Sequence, residues 1–372
     1  MLFTKFIKRY HRMKFLLYFI CYCLLFLVVS CQQRKVPMQP LAVQPFEADS
    51  ALSVDWQEME TDYLLSYPEN IILTDSHLII QDRRATDYLF HAINRNDGSL
   101  DFEFARRGNG PQEFIDATLN SYWDSERQMI SFYDPGKRTL FYFQKQGIEY
   151  VLNDCFAFSR QKKIQLESEY VREVFVCDSD YILMGEHGAF DEKRFLVLNN
   201  DLQIINRCED YPNIKDLLSN PAEDLRKILY GFSFFKISPN GEKAVFATYR
   251  GALLQFFDLN NYRDSIRNIR SYQLEYPIKK EQITEEHDGW VYGFEDVYVT
   301  NDFVYAIYNG ETAEDNPMFG KYILVFNWEG KLCKSYQLNL SLRCLAVDEK
   351  LGVIYVVACT ENTDFFIACI HV

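Results

Sequence analysis

Histidine is scarce in this chain: there are six in 372 residues, and only His77, His91, His187, His287 and His371 lie beyond the N-terminal region. There is no His-x-Glu-x-x-His run, no serine elbow and no acid pair at matched places along the chain, so the sequence marks of zincin and serine-hydrolase chemistry are missing. Asp178-Ser179-Asp180 and Glu311 to Asp315 lack the alternating oxygen ligands, central glycine and final glutamate of a calcium loop and read as solvated turns. No metal or cofactor is expected. Basic charge is also short, with 39 Lys and Arg against 53 Asp and Glu; without residues 1–30 the balance is 34 against 53, a formal charge of −19. Such a surface repels phosphate backbones and argues against nucleic acid as a partner. The one long apolar run, Phe15 to Val29, holds fifteen residues, short of the roughly 20 that a spanning helix needs. Of ten cysteines, seven follow Cys31, an odd number without a CxxC or a metal knuckle, and most sit among aromatic and branched residues as small hydrophobes. Cys359 and Cys369 are the one pair expected to face each other across a hairpin.

What is present begins at the N-terminus. The apolar run follows Lys5, Lys8, Arg9, Arg12 and Lys14 and ends in Val28-Val29-Ser30-Cys31. A positive segment, a short apolar core and a small residue before a cut form a secretory signal. A cysteine just after the cut resembles the lipobox of a bacterial lipoprotein. That resemblance implies cleavage before Cys31, diacylglycerol on its sulfur and a third acyl chain on its nitrogen, and at ~0.8 kcal/mol per buried methylene such chains together hold a protein firmly to a membrane. A retained signal-anchor is the alternative, and Met13-Lys14 offers a second start. Gln32 to Ser50, with Pro37, Pro40 and Pro45, has little to build a core from and reads as a tether. The expected division is signal 1–30, tether 31–51 and body 52–372.

The body reads as short strand after short strand. Ile71 to Ile80, Leu89 to Ile93, Met129 to Tyr133, Thr139 to Phe143, Tyr181 to Met184, Phe195 to Leu198, Lys243 to Thr248, Leu253 to Phe257, Phe303 to Tyr308, Tyr322 to Phe326, Val353 to Val357 and Phe365 to Ile370 are rich in aromatic and β-branched residues. Turns recur after such strands at Gly98, Gly147, Asp201, Asn261 and Gly330, where Asn, Asp and Gly supply left-handed backbone. Their spacings of 49, 54, 60 and 69 residues match four antiparallel strands with their turns, the blade of a β-propeller. Growth in the spacing falls on Tyr211 to Gly231, Asn268 to Gly289 and Asn309 to Gly320; in the first, Asn220-Pro221 opens a short helix reaching Leu229. Five marks and a final pair of strands give an all-β, six-bladed propeller of four-stranded antiparallel blades, closed by the N-terminal strand Leu52 to Trp56. Seven blades or a β-sandwich are the alternatives.

Arg106-Arg107-Gly108-Asn109-Gly110-Pro111-Gln112-Glu113-Phe114 and Tyr322 to Lys331 (YILVFNWEGK) are the most distinctive stretches. With the lipobox and the spacing, they make the chain from about Leu52 onward resemble the TolB-like six-bladed β-propeller lipoproteins of Bacteroidota. Asn327 stands where that family usually has aspartate, at a turn position. The resemblance brings no catalytic residue with it. It does imply a location: Gln32-Gln33-Arg34-Lys35 lacks the acidic run of surface-exported lipoproteins in this phylum, which points to the periplasmic side of the outer membrane, with the cell surface as the alternative.

In the glycine-rich run, Gly108, Gly110 and Pro111 make a sharp passage and Phe114 can insert between blades. Glu113 is expected to pair with Arg106 or Arg107 across the turn, the alternative being a guanidinium offered to a ligand. A phosphate loop would need a following helix and a lysine-serine pattern that are absent. Gly185-Glu186-His187-Gly188, Tyr249-Arg250-Gly251 and Tyr308-Asn309-Gly310-Glu311 occupy corresponding turns, so Glu186, His187, Tyr249, Arg250 and Glu311 are the candidate ligand face. Hairpin turns are the plainer use of the same residues. The leading expectation is a binding or scaffold module for a protein, peptide or glycan partner. The alternative is a hydrolase or lyase acting on an extracytoplasmic polymer.

Overall fold

The structure is a computed structural model that describes residues 46–47, 50–118, 120–147, 149–157, 171–177, 180–185, 193–210, 232–274, 291–312, 319–360 and 364–372. The signal, Cys31, the tether up to Pro45, Asp178-Ser179, Glu186, His187 and the expected helix from Asn220 lie outside the described residues.

Alternating apolar residues make extended chain throughout. Two short strands come first, β1 (Leu52–Ser53) and β2 (Gln57–Met59). Four antiparallel sheets then follow in chain order. They are β3 (Pro68–Leu73), β4 (His77–Asp82), β5 (Tyr88–Asn94) and β6 (Leu100–Arg106); β7 (Tyr122–Asp124), β8 (Met129–Asp134), β9 (Thr139–Gln146) and β10 (Glu149–Ala157). Next come β11 (Val171–Cys177), β12 (Asp180–Gly185), β13 (Lys193–Leu198) and β14 (Ile204–Asp210); β15 (Ser233–Ile237), β16 (Lys243–Thr248), β17 (Leu253–Asp258) and β18 (Arg267–Gln273). An eight-stranded sheet combines β19 (Phe294–Val299), β20 (Phe303–Tyr308), β21 (Gly320–Asn327), β22 (Leu332–Asp348), β23 (Val353–Cys359) and β24 (Phe365–His371) with β1 and β2. Here β22 is a single 17-residue strand. Its first part pairs β21, and Ser341–Asp348 pairs β23.

Each expected turn mark lies between the third and fourth strands of its sheet, or between β21 and β22, and Gly98, Gly147 and Gly330 adopt φ of +74°, +64° and +74°. The strands legible in the sequence are the second and third of each sheet. Ile71 to Ile80 is two strands rather than one, because Thr74-Asp75-Ser76 turns the chain and the Thr74 amide donates to the His77 carbonyl at 2.9 Å.

Apolar faces pack sheet on sheet. Phe90 and Phe104 meet Phe132 and Phe143; Tyr133 and Leu140 meet Leu183 and Leu196; Phe195 meets Phe235 and Phe257; Phe256 meets Phe326. The eight-stranded sheet folds onto itself through Ile307 and Ile323 against Leu345 and Ile354. Cys344, Ala346 and Val357 then meet Ile71, Leu78 and Ile80 of the first sheet. That last contact returns to the start and closes a ring of blades.

Closure differs in position from the expected Leu52 to Trp56. The strand that pairs β24 is β2, with Gln57 opposite Cys369 and Met59 opposite Ile367, whereas Leu52 and Ser53 run parallel to β22 at Tyr336 and Gln337. The cause lies in the side chains. Trp56 reaches across, its ring 5.4 Å from Phe366 of β24 and its Nε1 donating to Asn339 Oδ1 of β22 at 2.9 Å, while Met59 joins the core beside Ile367. The cysteine pair is also corrected: the register sets Cys359 opposite Phe365 and Cys369 opposite Tyr355, so the two sulfurs do not face each other and are not bonded. Cys177, Cys208, Cys344 and Cys359 are buried, as small hydrophobes should be, but Cys155 and Cys333 are exposed.

Candidate functional site

The first strands β3, β11 and β19, and the part of β22 that pairs β23, carry a bulge at the same place. The register skips between Pro68 and Asn70 in β3, Val171 and Glu173 in β11, Phe294 and Asp296 in β19, and Leu342 and Cys344 in β22. The extra residues are Glu69, Arg172, Glu295 and Arg343, all charged. A bulge leaves one residue unpaired and re-aims its side chain, which is why bulges gather beside sites. Each sits opposite the end of a second strand, hence at the end of the ring where second strands turn into third strands.

These charges converge across sheets. Arg343, with a side chain 7% exposed, reaches Glu69 on β3 with Nη2 and Glu295 on β19 with Nη1, both at 3.7 Å. Its Nε donates to the Pro68 carbonyl at 3.3 Å, and Arg83 Nη1 donates to Glu69 Oε1 at 3.2 Å. Further along, Lys236 on β15 feels Asp296, Glu173 and Cys344 from three other first strands. First strands therefore line the axis of the ring. Desolvation dominates there: it raises the Glu69, Glu173 and Asp296 carboxyls above their ordinary range, pushes Glu295 up to about 7 and lowers the Lys236 ammonium. Buried atoms of Asn70, Asn120, Glu173 and Glu295 lack a hydrogen-bond partner, an uncommon state for interior polar groups that hydration of the axis would relieve.

Above this cluster sit half-buried rings. The Arg343 guanidinium carbon is 5.2 Å from the centroids of both Tyr67 and Phe319, and that of Arg84 is 4.8 Å from Tyr67. Tyr249 packs against Phe232 and Tyr292 at 5.1 and 5.3 Å, and its hydroxyl is held above the usual range by burial and by Glu295.

The expected ligand-face residues fall at this same end. Tyr249, Arg250 and Glu311 stand on two turns joined through Val291–Gly293: Gly293 donates to the Tyr249 carbonyl at 2.6 Å, Gly251 to Val291 at 2.9 Å, Tyr292 to Glu311 at 2.9 Å and Gly310 to Tyr292 at 2.9 Å. Arg250 and Tyr292 form a bridge, and Glu311 accepts from Lys321 Nζ at 2.7 Å. Three of the five are thus gathered; Glu186 and His187 lie outside the described residues.

The glycine-rich run connects β6 to β7 at this end too. Glu113 does not pair with either arginine: its Oε2 accepts from the Gly110 amide at 3.0 Å, because the bend at Gly108 (φ +151°) folds the carboxylate back into its own loop. Arg107 instead donates to the carbonyls of Asp82 and Arg83 at 3.2 and 2.6 Å, fixing this loop to the first sheet, while Arg106 is exposed. Phe114 is inserted as expected, 2% exposed and edge-on to Phe141 at 4.7 Å.

Glu69, Glu295 and Arg343 were missed in the sequence because polar neighbours such as Asn70, Asp296 and Ser341 keep their strands from reading as apolar runs. A charged residue at the start of successive strand groups was the available signal. Among the described residues no group of three or more His, Cys, Asp or Glu is arranged to hold a metal ion, and no helix is long and apolar enough to cross a membrane.

A ring of antiparallel blades whose first strands line a polar axis defines a β-propeller. The model of the TolB-like 6-blade propeller-like family matches residues 50–350, and the chain belongs to that family. No curated protein sequence matches it. Among solved structures it is similar to a Bacteroides fragilis protein described as exported, at 13% identity over 89% of this chain and 98% of the other, with a TM-score of 0.52. It is also similar to the β-propeller domain of Cps50 (Swd1) from Myceliophteria thermophila, at 8% identity over 86% and 100% of the two chains, with a TM-score of 0.51. At such identities the likeness shows the fold alone.

Proposed function

We propose that this protein is a six-bladed propeller outside the cytoplasm, lipid-anchored at Cys31 on the periplasmic side of the outer membrane, that binds a protein, peptide or glycan at its second-to-third turns. The blade count follows from reading the eight-stranded sheet as two blades that share β22, the second completed by β2. Six apolar interfaces among the described residues support that count. The observation that carries the binding reading is the stitching of Tyr249, Arg250 and Glu311 through Val291–Gly293 over an axis of buried charge. A rigid platform of aromatic and charged groups is what a recognition surface needs. One observation favours the second reading, a hydrolase or lyase: a carboxyl near 7 is suited to proton transfer.

Two measurements test this. A thermal-shift screen of the mature protein against glycans and peptides should give a stabilising hit that Arg250→Ala weakens; turnover of that hit, abolished in Glu295→Gln, would replace binding by catalysis. For the anchor, Cys31→Ala should move the protein from the membrane to the soluble fraction, and unchanged partition would refute lipidation. Removal by protease on intact cells would place the protein on the outer surface instead.

A further inference from the structure

Arg343 is unfinished business in electrostatic terms. A guanidinium offers five donors in a planar fork, yet here only Nε makes a hydrogen bond, to Pro68, and both η nitrogens stand 3.7 Å from carboxylates. That distance is too long for a hydrogen bond. On the facing side Glu295 is anchored through Oε1, which accepts from Asn309 Nδ2 at 3.0 Å, while its buried Oε2 has no donor. A cation and an acceptor, both at least nine-tenths buried, thus form a loose ion pair with no hydrogen bond between them. Tyr67 and Phe319, both half-buried, flank the fork with ring faces.

We propose that the end of the axis around Arg343 is a binding site for a small organic carboxylate, taken by the guanidinium fork that the rings of Tyr67 and Phe319 hold between them. Fork geometry selects a planar anion with two oxygens. Glu69, Glu295 and Asp296 nearby make a single negative charge easier to admit than the two of a phosphate. The incoming carboxylate takes the position facing Arg343 that Glu295 now holds, and Glu295 takes up a proton on Oε2 and can donate it to the ligand oxygen. The charge of the site is then unchanged by binding. The groups facing Glu295 are Asp296 on its own strand, Arg343 from β22, Asn309 from the β20–β21 turn and Tyr249 from the β16–β17 turn; Glu69 and Tyr67 face Arg343 from the first sheet. This site deepens the binding reading above, resting on it only for the end of the ring concerned.

The test is calorimetry on the mature protein with glucuronate and N-acetylphenylalanine, each beside its neutral amide, so that the two arms separate a sugar acid from an amino-acid carboxylate. At least one acid should bind about tenfold or more tighter than its amide, and its affinity should fall by up to about tenfold per pH unit above neutrality because binding takes up a proton. Arg343→Gln should abolish the preference. Since that change leaves Glu295 without its cation and Glu69 with Arg83 alone, and so threatens folding, Glu295→Gln is the second variant: it should fold, bind the acid more tightly and lose the pH dependence. Acids and amides that bind alike, absence of binding by both acids, or unchanged pH dependence in Glu295→Gln would each overturn the proposal. Partner binding that depends on Arg250 would survive those results, so failure here is distinct from failure of the broader reading.

Discussion

Replacing Gly98 by alanine should weaken closure of the ring, and the size of the effect follows from two separate costs. Gly98 lies at φ +74°, where an L side chain costs roughly 1–2 kcal/mol. A Cβ there would also stand 1.8 Å from the Glu60 carbonyl oxygen. Glu60 directly follows β2, and Leu100, just past the turn, donates to Asp62 Oδ1 at 2.7 Å, so backbone rather than a side-chain tip must move. Forcing such a shift in packed structure costs about 1–3 kcal/mol. Together these give roughly 2–5 kcal/mol. At about 2.1 cal/mol/K per residue, a body of about 320 residues melts with an entropy near 0.7 kcal/mol/K, so Gly98→Ala should lower the melting midpoint by roughly 3–7 °C. Gly147 supplies the control, being the matching turn of the next sheet at φ +64° with nothing within 4 Å of the added Cβ. Gly147→Ala should cost only the backbone share, roughly 1–2 kcal/mol and about 1.5–3 °C. Differential scanning calorimetry of the two variants side by side reads the difference. Equal midpoints would refute the contact between the Gly98 turn and the closing strand as a source of stability.

Other consequences can be measured on the same protein. Arg194, 1% exposed, donates to Gln255 at 2.6 Å and to the half-buried Glu209 at 3.3 Å among Phe195, Phe246 and Phe257; Arg194→Ala should lose about 3–5 kcal/mol in urea unfolding, because a buried side chain packed on three rings is removed and Gln255 and Glu209 lose their donor, and a loss under about 1 kcal/mol would refute that role. Glu295, raised by burial to about 7, contributes stability that is fully present below the ordinary carboxyl value near 4.5 and is lost as pH rises through 7. The wild type should therefore lose up to roughly 3 kcal/mol between those values relative to Glu295→Gln, and parallel pH profiles for the two would show that Glu295 does not titrate there.

The family and the repeat were legible because the second and third strands of each sheet are buried on both faces and read as apolar runs. The other strands were not, for two physical reasons. First strands such as β3, β11 and β19 carry Glu69, Arg172, Glu173, Glu295 and Asp296, which break the apolar pattern in order to face the axis. Fourth strands lie at the rim; Arg267 to Arg270 in β18 are all exposed, and Ile204 and Ile205 in β14 are too. Of the candidate site, the turn residues Tyr249, Arg250 and Glu311 were readable from their repeated place. Arg343 was not, because its significance comes from Glu69 and Glu295, more than 270 and nearly 50 residues away in sequence.

β22 also governs where this chain tolerates being cut. The four-stranded sheets are entered and left through connecting segments, whereas β22 runs unbroken from its pairing with β21 to its pairing with β23. A protease site or an inserted domain near Leu338–Leu340, both buried, would have to pull these side chains out of the core they share with Ile323, Leu345 and Ile354. Loops accept such changes and buried strands do not. Split reporters or circular permutants built on this ring should therefore be opened at connections such as Gly110–Gln112, and the stretch from β19 to β24 should be kept as one indivisible fragment.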